Sequence, residues 1–267
     1  MTSLKTIIYY FSGTGNSLAA ARSICRHLGD CELVSIASLT GTKGEINPAA
    51  DRVGIVCPVY YLGLPSMVAE FVQRLDLSRA GYCFAVLTMG GTGASALHQL
   101  DDLVVAHTGR NLDAAFSVRM VGNFVPLYEP AKGAKRDKLL AGAEKRLAEI
   151  AAMIDKGLIV RPGIAVFSGL VKRFMYDGFI RRIHDADRNF FADERCTSCG
   201  TCADVCPVHN IEMVDGKPVW KHHCELCCAC IHFCPVEAIQ FGQKTRRRGR
   251  YRHPDLKVAD MKAQRGE

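Results

Sequence analysis

Nine of the chain's 13 cysteines crowd between Cys196 and Cys234. Eight of them form two runs of one spacing, Cys196-x2-Cys199-x2-Cys202-x3-Cys206-Pro207 and Cys224-x2-Cys227-x2-Cys230-x3-Cys234-Pro235. The runs superpose at an offset of 28 residues, and Val208/Val236 and Ile211/Ile239 match as well. A tetrahedral zinc site needs two CxxC pairs, which leaves the evenly spaced third cysteine and the Cys-Pro endings unexplained. The x2, x2, x3 interval closed by proline is the spacing of thiolates that hold a 4Fe–4S cube. Cys228 adjoins a ligand position but falls outside the register and reads as a bystander. His222, His223 and His232 read as solvated or packing groups, because each cube already has four thiolates.

A second group of residues suits an anion. The apolar run Tyr9–Phe11 stops in Ser12-Gly13-Thr14-Gly15-Asn16-Ser17. A strand that turns into a helix through such a loop presents backbone N–H groups to a phosphate, and the glycines let it approach. The hydroxyls of Ser12, Thr14 and Ser17 and the amide of Asn16 can donate too. A Walker loop is excluded, since no lysine or arginine lies between Lys5 and Arg22. The dinucleotide fingerprint needs a third glycine where this chain has Leu18. What remains is the single phosphate of a flavin, held by neutral donors.

Those loops need a scaffold. Short β-branched and aromatic runs at 5–11, 32–36, 53–57, 82–88 and 114–120 read as strands. They alternate with helical patterns at 16–28, 65–76, 94–107 and 134–156. Such alternation predicts a parallel sheet with helices on both faces and ligands beyond the carboxyl ends of the strands. The loops after the third and fourth strands then join the first as candidates. Pro58, Val59, Tyr60, Tyr61, Leu62 and Gly63 form one, and Thr88, Met89, Gly90 and Gly91 the other. Tyr60 or Tyr61 could stack on the flavin ring, and the amides near Gly63, Gly90 and Gly91 could reach its polar edge. Gly122–Pro130 is too irregular for a helix, and its Asn123 and Tyr128 are weaker candidates for the flavin or a substrate opening.

The phosphate loop resembles the Thr/Ser-x-Thr-Gly-x-Thr/Ser motif of flavodoxins, and the cysteine runs resemble bacterial two-cluster ferredoxins. Over about residues 4–253 the chain resembles the bacterial and archaeal family in which these two domains are fused. The resemblance rests on "SGTGNS", "PVYYLGLP", the paired cysteine runs and a basic "RGRYRHP" ending. It implies a flavodoxin-like, doubly wound α/β sheet of five parallel strands, order 2-1-3-4-5, with a small α+β ferredoxin-like domain. It implies FMN as cofactor. It also implies two 4Fe–4S clusters, one on Cys196, Cys199, Cys202 and Cys234 and the other on Cys224, Cys227, Cys230 and Cys206. The implied function is electron transfer, to or from a partner such as ferredoxin or a reductase, in anaerobic metabolism. Two alternatives stand beside it: a terminal reductase of a quinone, nitro or unsaturated compound, and a redox-sensing or assembly partner. No acid–base pair stands out in the flavin loops, which favours transfer over substrate chemistry. No catalytic residue is assigned.

The expected organisation is a flavin domain over 1–160, a helical linker over 161–186, a cluster domain over 187–242 and a basic tail over 243–267. Net charge is +7, and the tail alone carries +6 against −4 for the cluster domain. Nucleic-acid binding is not expected, because no recognition module accompanies the tail. The tail is read as folding over its own cluster domain and steering an acidic partner, or as solvated. The linker reads as an interdomain helix, with a membrane-surface helix as the lesser alternative. No apolar run approaches the roughly 20 residues of a membrane span, and the first apolar run leads into a glycine loop rather than a cleavage site. The expectation is a cytoplasmic chain whose thiols stay reduced, with Cys25, Cys31, Cys57 and Cys83 acting as small hydrophobes.

Overall fold

The computed structural model describes residues 4–92, 94–162 and 170–266. Strands β1 (Thr6–Tyr10), β2 (Cys31–Ser35), β3 (Arg52–Pro58), β4 (Tyr82–Met89) and β5 (Ala114–Arg119) form one parallel sheet in the order β2-β1-β3-β4-β5. Helices α1 (Asn16–Leu28) and α4 (Gly133–Asp155) cover one face, and α2 (Ser66–Val72) and α3 (Ala94–Thr108) the other. Alternation along β1 feeds both cores. Ile8 and Tyr10 pack with Leu18, Ile24, Leu147 and Ile150, whereas Ile7, Tyr9 and Phe11 pack with Val68, Phe71 and Leu100. Burial on both faces is why β1 reads as an unbroken apolar run. Helix α2 stops earlier than the expected residue 76. The backbone beyond it turns so that Arg74 O and Asp76 N–H can pair with Ile46 (2.7 and 2.9 Å).

Strand order reverses at β1, so the loops after β1, β3 and β4 gather at one end of the sheet. The cysteine-rich part sits against that end. It follows α5 (Leu170–Ile183) and contains β6 (Phe190–Ala192), α6 (Thr201–Asp204), β7 (Ile211–Val214), β8 (Lys217–Trp220), α7 (Ala229–Phe233) and β9 (Ile239–Phe241). β6 pairs with β9, and β7 forms a hairpin with β8. The 28-residue repeat recurs in the backbone. Ser198 and Leu226, Gly200 and Cys228, and His209 and Glu237 are three pairs at that offset, all with positive φ between 48° and 74°. Cys228 thus takes the left-handed position that glycine fills in the first run, at a cost of about 1–2 kcal/mol.

Residues 163–169 of the expected linker lie outside the described residues, as do the side chains of Leu170, Val171, Lys172, Arg173, Phe174 and Met175. From Tyr176 onward α5 touches both parts. Tyr176 Oη donates to Leu64 O (2.6 Å), while Phe179, Ile180 and Ile183 pack with the cysteine-rich core. Among the described residues no helix is long and apolar enough to cross a membrane.

One expectation about the cysteines is corrected. Cys57 and Cys83 are core residues, but Cys25 and Cys31 are joined in a disulfide. The chain reverses at Gly29 (φ 81°) between α1 and β2. That reversal brings the two Cα atoms to 5.3 Å, within the range a disulfide spans.

Candidate cofactor sites

A cavity of about 490 Å³ opens where the sheet end meets the cysteine-rich part. That volume suits a nucleotide-sized ligand. Ser12, Gly13, Thr14, Asn16, Ser17, Pro58–Leu62, Thr88–Gly91 and Asn123 all line it. Gly15 and Gly63 do not, being covered by His253 and Leu256 and by the Tyr176 ring respectively, and their amides are engaged within the loops. Gly15 N–H donates to Ser12 Oγ (3.1 Å), and Gly63 N–H donates to Tyr60 O (2.9 Å). Gly63 therefore does not offer its amide to a flavin edge. No Lys, Arg, Asp or Glu lines the cavity among the described residues. The anion-binding potential comes from the first amides of α1, which have no intrahelical acceptor, and from the helix dipole. Gly15 is the left-handed N-cap (φ 97°), a conformation that suits glycine.

The loop after β3 is a tight turn with an unusual sequence. Tyr60 and Gly63 exchange two backbone hydrogen bonds (2.9 Å each), and Tyr61 and Leu62 between them have φ of 49° and 69°. Two non-glycine residues in this region cost a few kcal/mol together, a load often found at functional sites. Ser95 Oγ donates to Leu62 O (2.5 Å), and the Tyr61 ring lies parallel to Phe179 at 4.6 Å. Tyr60 is buried deeper, against Gly13 and Cys227. Burial holds its phenol protonated, well above the usual tyrosine range.

Sequence reading missed the wall supplied by the second half of the chain, Phe179, Leu226, Cys227 and Cys228, and within the flagged segment Gly122–Pro130 it did not single out Phe124 and Leu127. It also missed how far the tail reaches. Beyond the cluster part, the tail crosses back over the phosphate loop and ends in α8 (Val258–Ala263). His253 N–H donates to Thr14 O (2.9 Å). Tyr251 Oη donates to Asn16 Oδ1 (2.7 Å), whose Nδ2 donates to Val121 O (3.0 Å). Gln264, fully buried, accepts Ser12 N–H (2.8 Å) and donates to Ser12 O (3.0 Å). Arg248 binds Val125 O and Pro126 O (2.7 and 2.6 Å), and Arg250 binds Ile239 O (3.1 Å). The tail's basic residues therefore satisfy carbonyls of both halves. The buried Tyr251, Leu256 and Met261 were the signal for this packing, obscured by the surrounding charges. Gln264→Ala removes the partner of the buried backbone N–H and C=O of Ser12, at about 1–3 kcal/mol. The expected result is roughly tenfold weaker FMN binding by equilibrium titration, with iron content unchanged.

The two sets of cysteines fall around two separate small cavities. Cys196, Cys199, Cys202 and Cys234 line one, and Cys206, Cys224, Cys227 and Cys230 the other. Backbone amides point at the sulfurs in equivalent places. Asn210 N–H lies 3.3 Å from Cys206 Sγ, and Ala238 N–H, 28 residues later, 3.2 Å from Cys234 Sγ. Among the described residues no three ligand side chains converge as a single metal ion requires. Burial raises the thiols of Cys206, Cys224, Cys227 and Cys230, so ionising them together needs a compensating positive centre. Cys199 is exposed, and hydrogen bonds from Thr201 lower its thiol. A sulfur-only donor set of four around each cavity fits an iron–sulfur cube. Cys228 is no ligand in this arrangement, but it borders both the large cavity and the second small one.

Buried polar side chains fix the second run within its own part and against the sheet part. Asp187 accepts from Asn210 Nδ2 (2.7 Å), His222 N–H (3.0 Å) and His222 Nδ1 (2.7 Å). Glu225 accepts from Ser66 Oγ (2.5 Å) at the start of α2, and burial raises its carboxyl. His232 is no solvated group. Its Nδ1 accepts Tyr251 N–H (3.0 Å), which places its proton on Nε2, and Nε2 donates to Asn123 O (2.7 Å). Burial pushes its pKa down to about 4. The unfolded chain takes up that proton near pH 6.5, so stability falls as pH drops from 6.5 through 4. The loss is about 3 kcal/mol when complete. Urea unfolding of the metal-free chain across this range should show the decline, and His232→Gln should flatten it.

Residues 7–119 match the flavodoxin domain model, and residues 191–212 match a 4Fe-4S binding domain. The chain thus carries both in one polypeptide. No curated protein matches it. Among solved structures, a flavoprotein of Bacteroides uniformis is 17% identical, covers 52% of this chain and 96% of its own, and has a TM-score of 0.34. A flavoprotein of Lactobacillus acidophilus in complex with FMN is 17% identical, covers 43% and 93%, and has a TM-score of 0.34. The NAD(P)H:quinone oxidoreductase of Methanothermobacter marburgensis is 12% identical, covers 56% and 96%, and has a TM-score of 0.35.

Proposed function

We propose, for a chain that joins a flavodoxin domain to a 4Fe-4S binding domain, that it is an iron–sulfur flavoprotein holding FMN and two 4Fe–4S clusters. It passes electrons between them and on to or from a partner protein such as ferredoxin. The observation that carries this reading is Cys227, which lines both the large cavity and one of the four-cysteine cavities. FMN, when bound, takes one or two electrons, whereas each cube takes one.

The chain's own residues hold and insulate these groups. The loop from Gly13 to Ser17 would take the phosphate, with Thr14 fixed by Asn123 Nδ2 and Ser17 by Thr88 Oγ1. The segments Val59–Leu62 and Thr88–Gly91 would border the ring. Cys206, Cys224, Cys227 and Cys230 would hold the cluster beside the flavin, and Cys196, Cys199, Cys202 and Cys234 the one beyond it. Among the described residues the lining offers no carboxylate or histidine to move a substrate proton, and the Tyr60 phenol is held protonated. That supports transfer over substrate chemistry.

One observation favours the second reading, a reductase of small acceptors. The cavity mouth is apolar and open, with Leu127 66% and Tyr61 47% exposed, a surface that suits a planar apolar molecule. The experiment sets the two apart. The anaerobically reduced chain is offered oxidised ferredoxin or a quinone alone. Rapid exchange with ferredoxin and slow exchange with the quinone is expected. Sustained quinone turnover without a protein partner would overturn the carrier reading.

A further inference from the structure

The cavity beside the flavin site contains a donor that breaks the repeat. Trp220, the chain's single tryptophan, ends β8 and lines the cavity of Cys206, Cys224, Cys227 and Cys230. Its ring stacks on Phe190, with centroids 5.8 Å apart and planes 21° apart, so its orientation is held by packing. Its Nε1 is fully buried and meets no hydrogen-bond acceptor among the described residues. An indole N–H without a partner keeps its full desolvation penalty, and buried tryptophans normally find one. Sulfur ligands in the adjoining cavity would supply acceptors.

The other cavity has no indole donor. The residue 28 positions before Trp220 is Ala192, and Thr197, Thr201 and Met213 occupy that cavity's wall. The amides at Asn210 and Ala238 are common to both runs, whereas the side-chain donors differ. Thr201 Oγ1 lies 3.4 Å from Cys199 Sγ at the first cavity, where the second run has Ala229, and Trp220 lines only the second.

We propose that Trp220 Nε1–H donates a hydrogen bond to a sulfur of the cluster held by Cys206, Cys224, Cys227 and Cys230. The bond stabilises that cluster's more negative, reduced state and raises its reduction potential. It rests on the two-cluster reading above. Trp220 is thereby a tuning residue for the cluster nearest the flavin, and it is one of the side chains that set the repeat's two sites apart.

The test uses the full-length holoprotein and EPR-monitored potentiometry. Trp220→Phe keeps an aromatic ring against Phe190 but removes the N–H. One cluster should become harder to reduce by about tenfold in its equilibrium constant, roughly 59 mV for a one-electron couple. The other should not move, and iron content should stay the same. Two unchanged potentials with full iron content would overturn the proposal and leave the two-cluster reading standing. Should the variant lose its cluster, the native chain decides. Indole-¹⁵N tryptophan labels a single ring nitrogen in this sequence, and pulsed EPR of the reduced protein should show coupling to one cluster. Absence of that coupling overturns the proposal. A native chain that assembles no cluster on the Cys227 set removes the proposal together with the reading beneath it, visible as iron content indifferent to Cys227→Ser.

Discussion

Cys227→Ser is expected to cost the chain one cluster and, with it, electron exchange between FMN and the remaining irons. Cys199→Ser is expected to cost a cluster as well, yet to leave that exchange in place. The difference follows from placement. Cys227 is half-buried in the wall that separates the large cavity from the Cys206 set, whereas Cys199 is exposed in the cavity that does not border the flavin loops. Anaerobic stopped-flow at several protein concentrations separates the outcomes. Exchange within one chain is independent of concentration, and fusion makes it fast through high effective concentration. Cys199→Ser should keep a concentration-independent phase of flavin reduction, and Cys227→Ser should retain only a bimolecular one. Both variants should keep FMN, because the phosphate loop is built on β1 and α1.

Gly13→Val is expected to have the second large effect, on FMN itself. A Cβ at this position would lie 2.6 Å from Cys227 O and 2.7 Å from Tyr60 Oη. One of those atoms belongs to the backbone of the opposite half, so no side-chain rotation relieves the clash. Overpacking of this kind costs about 1–3 kcal/mol, or roughly 5- to 150-fold in affinity. The strain falls where the phosphate loop and the second cysteine run touch. FMN binding should weaken by that factor, and the flavin–cluster exchange should slow with it. Gly142→Ala is the matched control. It lies within α4 with no atom near its added Cβ, and it should bind FMN as the native chain does. The two variants are compared by flavin titration.

Much of this was legible in the residues. The strands at 53–57 and 82–88 were plain because central parallel strands are apolar on both faces, and α1 was framed by its glycine loop and by Gly29. The cysteine runs were plain because iron–sulfur spacing tolerates little variation. What escaped the reading depends on contacts distant in sequence. Gln264 reads the peptide of Ser12 across 252 positions, and no local pattern announces that. The tail's charges suggested a segment folded over its own cluster domain and steering a partner, or a solvated one. They did not suggest its reach to the phosphate loop, where Tyr251 and Leu256 are buried, with Met261 packed on the cluster half. Tyr61 and Leu62 adopt backbone angles that their types disfavour, so propensity pointed away from the turn they form. Cys228 was a missed opportunity, since aligning the repeat places it opposite Gly200 and predicts its left-handed backbone.

The most direct measurement is the cofactor content of the anaerobically reconstituted native chain, by iron, acid-labile sulfide and flavin assay on one sample. The account predicts one FMN with about eight irons and eight sulfides per chain. Fewer than about six irons, or a chain that binds no flavin at saturating FMN, would contradict it.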